Sequence, residues 1–437
     1  MDELSDKTVL VYDYGNNIHV ARKLTSEFGR VRYFRPWKES EPKVSNLVVG
    51  DGFDGVERVR HFHDAIASTD LFIFPCIYDG DLQRDLVNRG KRVWGARKAE
   101  RLEYDRPFFM EALAKAGMPV PDYTVCTGMD ELERLLKRSE HGWVKSNYRG
   151  DDETWQHINW ELSQWKVAAL RHRFGPTGKH MVFTVVPDLE ADFESAYDGY
   201  MVTSPSGKPQ FPDIGFLGYE TKDRSHILTA IPYESFPDEV RDINDQFAPQ
   251  LAKYFFRSAW GTEIRGPFFL DATCRQPSPP GELITYMVQN LGEFMWHGSE
   301  GDLVPLDVPK TFGVEVILYS ECSKTNWMTF DIPEDIDDAV KLFRCCRDDD
   351  GTHIIPDGDV TGRATGMERV GAVVATGDTI EDAIDSVKET CEQLKAMYLI
   401  CETDSLAECL KRIQAGQEEG IKFTKQAIPE PATVLED

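Results

Sequence analysis

The chain has 437 residues, of which 41% are hydrophobic and 28% charged, so it can build sizeable cores and is long enough for about two to four domains. Its net charge of −26, from 75 acidic and 49 basic residues, argues against nucleic acid or an anionic membrane as a bulk partner. Nine scattered cysteines without zinc-site spacing predict no disulfide framework and a reducing, cytoplasmic compartment. No signal-peptide pattern is present, and the longest apolar run, near Leu71–Ile77, is too short to span a bilayer.

The N-terminal part of the chain alternates strand-like and helix-like segments. Thr8–Tyr12 is a β-rich run, followed by a short loop and a helical stretch from residue 19 to residue 28. Val31–Phe34 and Leu71–Pro75 have the composition of further buried strands. This alternation predicts a small doubly wound α/β domain with a parallel sheet over residues 1–96.

The loop after the first strand, residues 13–17, contains one glycine. Dinucleotide binding needs a GxGxxG pattern, so a dehydrogenase built on this domain is disfavoured. Gly15, Asn16 and Asn17 precede a helix, where backbone N–H groups can cradle a phosphate or a carboxylate. An ordinary strand-to-helix turn is the alternative, and the sequence does not decide between the two.

Farther along, the segments lengthen and then become rich in strands. Residues 99–116 are strongly helical but broken by Pro107, and residues 238–256 predict a long amphipathic helix. Residues 143–146 predict a short strand. After residue 309 strand-like runs dominate until a closing helix at residues 380–396, and the proline-bearing end of the chain is predicted to be disordered.

Two carboxylates, Glu263 and Asp271, lie on apolar strand-like runs joined by Arg265-Gly266-Pro267. If this turn closes a hairpin, the two residues fall opposite each other and their side chains share one face. Facing carboxylates repel each other unless a cation lies between them, and Mg²⁺ is usually held by one or two carboxylates together with nucleotide phosphates. The hairpin therefore predicts a magnesium site; a solvated hairpin with two surface acids is the alternative from spacing alone.

Three strings, in the right order along the chain, resemble the ATP-grasp ligases and, within them, the phosphoribosylamine–glycine ligases. They are Val93–Val125, the string FFLDATCR that ends at Arg275, and Arg369–Leu394 with AVVATGDTIEDAIDSV. The resemblance implies a multidomain α/β and α+β architecture. Its parts are an N-terminal Rossmann-like domain (1–96), an ATP-grasp domain (97–308) with a small lid at about 122–186, a β-rich C-terminal domain (309–400), and a C-terminal helix with a disordered tail (401–437).

The resemblance also implies roles for individual residues. Arg106 and Lys145 match positions that contact ATP phosphates, the backbone of residues 184–186 matches the strand that reads adenine, and Asp188 or Glu190 matches a ribose or metal contact. The implied cofactor-binding set is Arg106, Lys145, Thr184, Val185, Val186, Asp188 and Glu190. The implied metal ligands are Glu263, Asp271 and Thr273, the last where the family has asparagine.

For catalysis the resemblance implies Arg275 near an acyl phosphate, with Lys222 and Arg224 as the basic residues of a flexible loop, and for the amine substrate it implies Gly15, Asn16, Asn17 and His19. The implied activity is an ATP-dependent ligase that joins a carboxylate to an amine through an acyl phosphate. It would use ATP with Mg²⁺ or Mn²⁺, act on small molecules, and be a monomer or homodimer.

The chain departs from the family pattern in its loops. Residues 147–157 (NYRGDDETWQH) have one glycine and three consecutive acids where the family has a glycine-rich lid loop, and residues 212–224 replace the family's glycine-rich basic loop. The N-terminal loop lacks Gly-Gly-Arg, and the residues after Arg275 lack the acidic motif that recognises glycine. These departures predict altered substrates. With Thr273, they also motivate an alternative, a catalytically reduced homologue that binds nucleotide as a regulator or scaffold.

Overall fold

A computed structural model describes residues 3–36, 47–147, 154–189, 194–323, 326–356, 367–394, 398–421 and 423. Glu190, most of the acidic segment at 147–157, and the predicted disordered end beyond residue 423 lie outside these ranges. Within them, no helix has both the length and the apolar character that crossing a bilayer requires.

The first five strands form one parallel sheet: β1 (Thr8–Tyr12), β2 (Arg30–Phe34), β3 (Val56–Arg58), β4 (Leu71–Ile73) and β5 (Arg92–Trp94). Three helices accompany them: α1 (Ile18–Leu24), α2 (Phe62–Ala65) and α3 (Gly80–Asn88). The spatial order is β3-β2-β1-β4-β5, which agrees with the predicted doubly wound architecture. Alternate residues of β1 pack into two separate apolar clusters, so both faces of the sheet are covered.

The helical stretch around Pro107 is divided in two, as α4 (Arg101–Tyr104) and α5 (Arg106–Lys115). Asp105 caps α5 by accepting a hydrogen bond from the Phe108 N–H at 3.1 Å, and Pro107 occupies the first turn, where its missing N–H is harmless. This break places Arg106 at the beginning of a helix.

A four-stranded antiparallel sheet follows, with its own apolar core. Its strands, in the spatial order β6-β9-β7-β8, are β6 (Thr124–Thr127), β7 (Gly142–Ser146), β8 (Thr154–His157) and β9 (Val182–Pro187). Two helices cover it, α6 (Met129–Leu136) and α7 (Trp160–Phe174). This unit corresponds to the lid predicted at about residues 122–186, and we call it the lid sheet.

The largest sheet is ten-stranded and mainly antiparallel. Its first six strands are β10 (Glu194–Thr203), β11 (Pro209–Gln210), β12 (Ile214–Thr221), β13 (Ser225–Pro232), β14 (Arg257–Arg265) and β15 (Phe268–Thr273), with helix α8 (Asp238–Ala252) between β13 and β14. Residues 214–221, part of the predicted flexible loop, are thus a strand. Helix α8 ends four residues before the predicted position, because Arg257 already belongs to β14. Phe247 of α8 stacks on Trp260 with ring centroids 6.0 Å apart.

The second half of the chain extends the same sheet. After α9 (Gly281–Met287) and α10 (Leu291–Gly298) come β16 (Phe312–Ser320), β17 (Met328–Phe330), β18 (Val340–Leu342), β19 (Cys345–Asp348), β20 (Gly351–Ile354), β21 (Glu368–Gly377), α11 (Ile380–Leu394), β22 (Ile400–Cys401) and α12 (Leu406–Glu418). Strand β16 pairs with β13, so hydrogen bonding is continuous across the boundary predicted near residue 308. The domain limits therefore remain predictions. Strands β17, β20 and β19 form a separate small sheet.

One disulfide is present among the described residues. Cys391 of α11 bonds to Cys401 of β22, with an Sγ–Sγ distance of 2.01 Å. Nothing in the sequence indicated this pairing, because the two cysteines lie ten positions apart and form no recognisable motif. The other seven cysteines are free.

Candidate active site

The hairpin of β14 and β15 places two predicted metal ligands side by side. The register pairs Glu263 with Asp271 and Gly261 with Thr273, so the three predicted ligand side chains share one face of the sheet. Gly266 closes the turn with a φ of 55°, a left-handed conformation that favours glycine. The facing carboxylates expected from the sequence are therefore present.

Asp271 brings three distant segments together. Its carboxylate accepts a hydrogen bond from Nη2 of Arg106, at the start of α5, and another from Nζ of Lys145, on the lid sheet. Arg106 also donates through Nη1 to the carbonyl oxygen of Leu270 at 2.7 Å. The exposed fractions of these side chains are 10% for Arg106, 13% for Lys145 and 30% for Asp271, so solvent screens the three charges only partly. Both cations predicted to contact ATP phosphates thus lie at a predicted metal ligand.

The neighbouring carboxyls are compensated less completely. Glu263 is exposed, yet its pKa is raised: desolvation is the largest cause and Glu194 adds repulsion, while Lys145, Lys222 and Arg106 act in the opposite direction. Asp198 of β10 is 9% exposed, and burial, then Glu263 and Glu220, raise its pKa to about 8. Burial, followed by repulsion from Glu263, raises the pKa of Glu220 to about 7. This acidic cluster of Asp198, Glu220 and Glu263 therefore favours the arrival of positive charge.

Asp198→Asn is expected to raise the melting temperature by several degrees at pH 7. The folded carboxyl, with a pKa of about 8, binds a proton that the unfolded chain has already lost, so native stability falls as pH rises from about 4 to about 8. Asparagine has no such proton. The gain in melting temperature should grow between pH 5 and pH 8, which scanning fluorimetry at each pH would measure. A gain that is the same at every pH would contradict the assigned protonation state.

The site fits a metal ion that is shared with a ligand. In the described part of the chain, no three His, Cys, Asp or Glu side chains converge on a point where they alone could hold a metal. Glu263 and Asp271 supply two carboxylates on one face, and Mg²⁺ commonly takes its remaining ligands from substrate phosphates and water. The donor set therefore suits Mg²⁺ bound together with a polyphosphate.

The predicted adenine-binding strand lies next to Lys145. Register pairs Lys145 with Thr184, Val144 with Val185 and Trp143 with Val186, so Lys145 and Thr184 share a face of the lid sheet. Thr184, Val185 and Val186 are all buried. Asp188 accepts a hydrogen bond from the indole Nε1 of Trp143 at 2.7 Å, which ties it to the end of β7.

Arg275 and Gln276 follow strand β15, and they connect it to helix α4 and to the loop after β4. Its Nε donates to Oε1 of Glu103 at 2.8 Å, and Oε2 of Glu103 accepts the N–H of Cys274 at 2.7 Å. The next residue, Gln276, donates its N–H to the carbonyl oxygen of Pro75 at 2.9 Å, just beyond β4. Glu103 therefore fixes the direction of Arg275 at the junction of the two sheets.

The loop with Gly15, Asn16 and Asn17 lies at the carboxyl end of β1, where the strand order reverses and ligands of doubly wound sheets usually bind. The Arg344 N–H donates to the carbonyl oxygen of Gly15 at 2.6 Å. The backbone of Gly15 has a φ of 112°, and a Cβ there would lie 3.3 Å from Nε of Arg35. Two arginines that sequence reasoning missed therefore flank the predicted substrate loop.

Three other predicted residues lie apart from this convergence. His19 is 2% exposed and faces Lys341 and Arg22, and burial lowers its pKa to about 3, with Lys341 and Arg22 adding to the effect. Arg224 is ion-paired with Glu402 at 2.5 Å, next to α12. Lys222 is exposed at the β12–β13 turn, where its charge opposes the rise in the pKa of Glu263.

Solved structures share this architecture. A phosphoribosylamine–glycine ligase from Thermotoga maritima matches with a TM-score of 0.64 at 16% identity, over 91% of this chain and 98% of that one. The biotin carboxylase domain of 2-oxoglutarate carboxylase from Hydrogenobacter thermophilus, in complex with MgADP and bicarbonate, matches with a TM-score of 0.62 at 12% identity over 96% of each chain. The chain has the fold of the ATP-grasp ligases. A biotin carboxylase from Campylobacter jejuni matches with a TM-score of 0.55 at 14% identity, over 91% of this chain and 92% of that one. No protein-family model and no curated protein sequence matches the chain.

Three carboxyls, those of Asp13, Asp198 and Glu220, were not assigned a role from the sequence, and each stands in an ordinary strand or loop sequence. Glu103 was noted only as part of the string that resembles the family, without a role of its own. Their importance depends on burial and on partners far along the chain. Asp13 alone carried a signal, since it directly follows a parallel strand at the position where such sheets place ligand-binding loops.

Proposed function

We propose that the chain is an ATP-dependent ligase that joins a small carboxylate to a small amine through an acyl phosphate. The observation that carries this proposal is the convergence of Arg106, Lys145 and Asp271 from three segments of the chain, beside Glu263 on the same sheet face. The ATP-grasp fold supports it.

The charges of this site suit a magnesium-bound triphosphate. Without nucleotide, Asp271 neutralises Arg106 and Lys145, while Glu263 has no opposite charge in hydrogen-bond contact among the described residues. With nucleotide bound, the two cations would turn to the phosphates, and Glu263 and Asp271, with the Thr273 hydroxyl nearby, would hold Mg²⁺. The metal supplies charge neutralisation on the phosphate oxygens. Phosphoryl transfer needs chiefly such positioning and neutralisation.

The two half-reactions then follow from the positions of the remaining groups. An oxygen of the substrate carboxylate attacks the γ-phosphorus, the bond to the β-phosphate oxygen breaks, and ADP leaves. The amine attacks the acyl carbon in its free-base form, through the nitrogen lone pair. The C–O bond to phosphate then breaks, and the departing phosphate takes up the proton that the nitrogen loses. Arg275, whose side chain is held by Glu103, would bind the oxygens of the acyl phosphate and neutralise their charge.

The test is magnesium-dependent ADP release from ATP, measured with purified protein and a panel of carboxylates and amines. ADP is expected only when ATP, Mg²⁺, a carboxylate and an amine are all present. Thermal stabilisation by MgATP, measured separately, reports nucleotide binding by mass action. Nucleotide binding without ADP from any pair would favour the catalytically reduced alternative, and the absence of both would refute the proposal.

A further inference from the structure

The loop after β4 holds Tyr78 in an unusual backbone conformation. Its φ is 88°, a value that bulky residues rarely adopt, and such strain persists only where the surrounding structure imposes it. The carboxylate of Glu100 imposes it here, since Oε2 accepts the Tyr78 N–H at 2.9 Å and Oε1 accepts the Gly80 N–H at 3.0 Å. Strained residues are concentrated at sites that bind ligands, so the Tyr78 side chain is a candidate ligand contact.

The ring of Tyr78 is partly open to solvent. It stacks on the ring of Tyr104, with centroids 5.6 Å apart and planes inclined by 28°, and 50% of Tyr78 remains exposed. Tyr104 therefore supports one side of the ring, and solvent covers much of the rest. A third flat ring can extend such a stack without a closed cavity, because aromatic rings favour offset-stacked contacts. We call Tyr78 and Tyr104 the tyrosine shelf.

The tyrosine shelf lies beside the crevice of the N-terminal sheet. Tyr78 follows β4, and the strand order reverses between β1 and β4, where doubly wound sheets usually bind ligands. The loops after these two strands are in contact, since the Tyr14 hydroxyl donates to Oδ2 of Asp79 at 2.8 Å. The carbonyl oxygen of Pro75, in the same loop as Tyr78, accepts the Gln276 N–H at 2.9 Å. This loop therefore connects the crevice to the residues that follow β15.

The second tyrosine of the shelf belongs to the segment that holds Arg275. Tyr104 directly follows Glu103 on α4, and Oε1 of Glu103 accepts a hydrogen bond from Nε of Arg275 at 2.8 Å. Helix α4 also packs against β15. A ring that stacks on the shelf would therefore bind near the arginine proposed to contact the acyl phosphate.

The carboxyls that adjoin the shelf favour an amine over a carboxylate as its ligand. Asp79 follows Tyr78, and burial raises its pKa, opposed by hydrogen bonds from the Tyr14 and Tyr12 hydroxyls. Burial also raises the pKa of Glu100 to about 7, opposed by backbone N–H groups of the turn that it holds. Hydrogen bonds rather than cations thus oppose these two shifts. The pair therefore attracts a positively charged ligand and repels an anion.

We propose that the tyrosine shelf binds a flat aromatic or heteroaromatic ring of the amine substrate by stacking on Tyr78. The shelf recognises the ring, whatever the protonation state of the nitrogen, and the amine still reacts as the free base. That the ring belongs to a ligase substrate rests on the proposed function. The stacking of a flat ring on Tyr78 does not.

The test is the titration of benzylamine and of cyclohexylmethylamine into the native full-length protein without ATP, measured by ligand-observed NMR. The two amines have the same charge and a similar size, but only benzylamine has a flat ring. We expect benzylamine to bind about three- to tenfold more tightly, as stacking on one aromatic ring predicts. Tyr78→Gly should make the two affinities equal, whereas Tyr78→Phe keeps a ring and should preserve the preference.

Tyr398→Gly is the matched control and should also preserve the preference. Tyr398 lies before β22, is 76% exposed, and has a left-handed backbone with a φ of 57°. Glycine suits a left-handed backbone at both positions, so both glycine variants should fold. Melting curves of the two variants check this directly.

Equal affinities for the two amines in the native protein would overturn the proposal, and so would a preference that survives in Tyr78→Gly. A preference for benzoate over cyclohexanecarboxylate, with none between the two amines, would overturn the assignment of the ring to the amine substrate. Because these titrations contain no ATP, they are independent of the ligase proposal. If the native protein shows neither stabilisation by MgATP nor ADP release, the ligase proposal fails, while the amine titrations still decide whether the shelf binds a ring.

Discussion

Asp271→Asn is expected to lower magnesium-dependent ADP release by about a hundredfold or more while leaving the protein folded. The variant keeps the size of the side chain but removes one of two carboxylates available to Mg²⁺. It also removes the counter-charge of Arg106 and Lys145. The two cations are then available to phosphate oxygens without competition from the Asp271 carboxylate, so affinity for ATP in the absence of Mg²⁺ should rise.

This opposite response of affinity and turnover is what separates a metal ligand from a purely structural carboxylate. ATP affinity with and without Mg²⁺ can be measured by titration, and ADP release by a coupled assay. Lys145→Met is the complementary variant and should weaken ATP binding in both conditions. Glu111→Gln changes an exposed acid of α5 and serves as the matched control. Unchanged magnesium dependence in Asp271→Asn would mean that Asp271 is only the structural partner of Arg106 and Lys145.

The parts of this site that the sequence predicted are those set by local geometry. Glu263 and Asp271 meet in two steps: the Gly266-Pro267 turn pairs Arg265 with Phe268, and a β-bulge between Glu263 and Ile264 then shifts the register by one residue. The turn can be recognised from the local sequence, but the bulge, without which Glu263 would lie opposite Leu270, cannot. Arg106 and Lys145 were assigned by resemblance alone. Their contact with Asp271 spans 165 and 126 residues of sequence, and no pattern within one segment encodes it.

The fold likewise has elements that local sequence predicted and elements that it did not. The N-terminal parallel sheet was predictable because its central strands, β1 and β4, are continuous apolar runs that end at turn residues. Its edge strand β3 (VER) was not predicted, because it has only one apolar residue. Strand β12 was missed because Gly215 and Gly218 interrupt its β-like composition, and both glycines accommodate aromatic or imidazole rings that arrive from other segments. Helix α7 was missed because its apolar residues form no single stripe: Trp165 is 75% exposed, whereas Val167 and Leu170 are buried.

The burial of carboxyl groups was the feature of the site that the sequence predicted least well. In the string ESAYDGYMVT, Asp198 looks like a surface residue that alternates with apolar neighbours. It is buried because strands β12 and β14 flank it on both sides, an arrangement that only the tertiary structure reveals. An ionisable group kept in such a place lowers stability, and proteins tolerate that mainly where function requires it.

Replacing the buried carboxyl of Asp13 is expected to have the largest effect on stability. This residue is fully buried, and its carboxylate accepts five hydrogen bonds, from Gly15 N at 2.9 Å, Asn17 N at 2.8 Å, Asn17 Nδ2 at 2.9 Å, the Tyr33 hydroxyl at 2.6 Å and Cys76 Sγ at 3.4 Å. The carboxylate thereby shapes the whole loop from residue 13 to residue 17. Asp13→Ala would leave these buried donors without an acceptor, at a cost of about 3 kcal/mol or more in the free energy of unfolding.

Tyr33→Phe is the matched control, because it removes one of the five donors and keeps the acceptor. It should cost about 1 kcal/mol. Chemical denaturation of both variants measures the difference, and amide hydrogen exchange at Gly15 and Asn17 should quicken only in Asp13→Ala, since those N–H groups lose their acceptor there. If both variants lost the same stability and kept slow exchange, Asp13 would not organise this loop. If only Asp13→Ala speeds exchange in the loop from residue 13 to residue 17, the Asp13 carboxylate holds Gly15 in place beside Arg344 and Arg35. The shape of this predicted substrate loop then depends on one buried carboxylate.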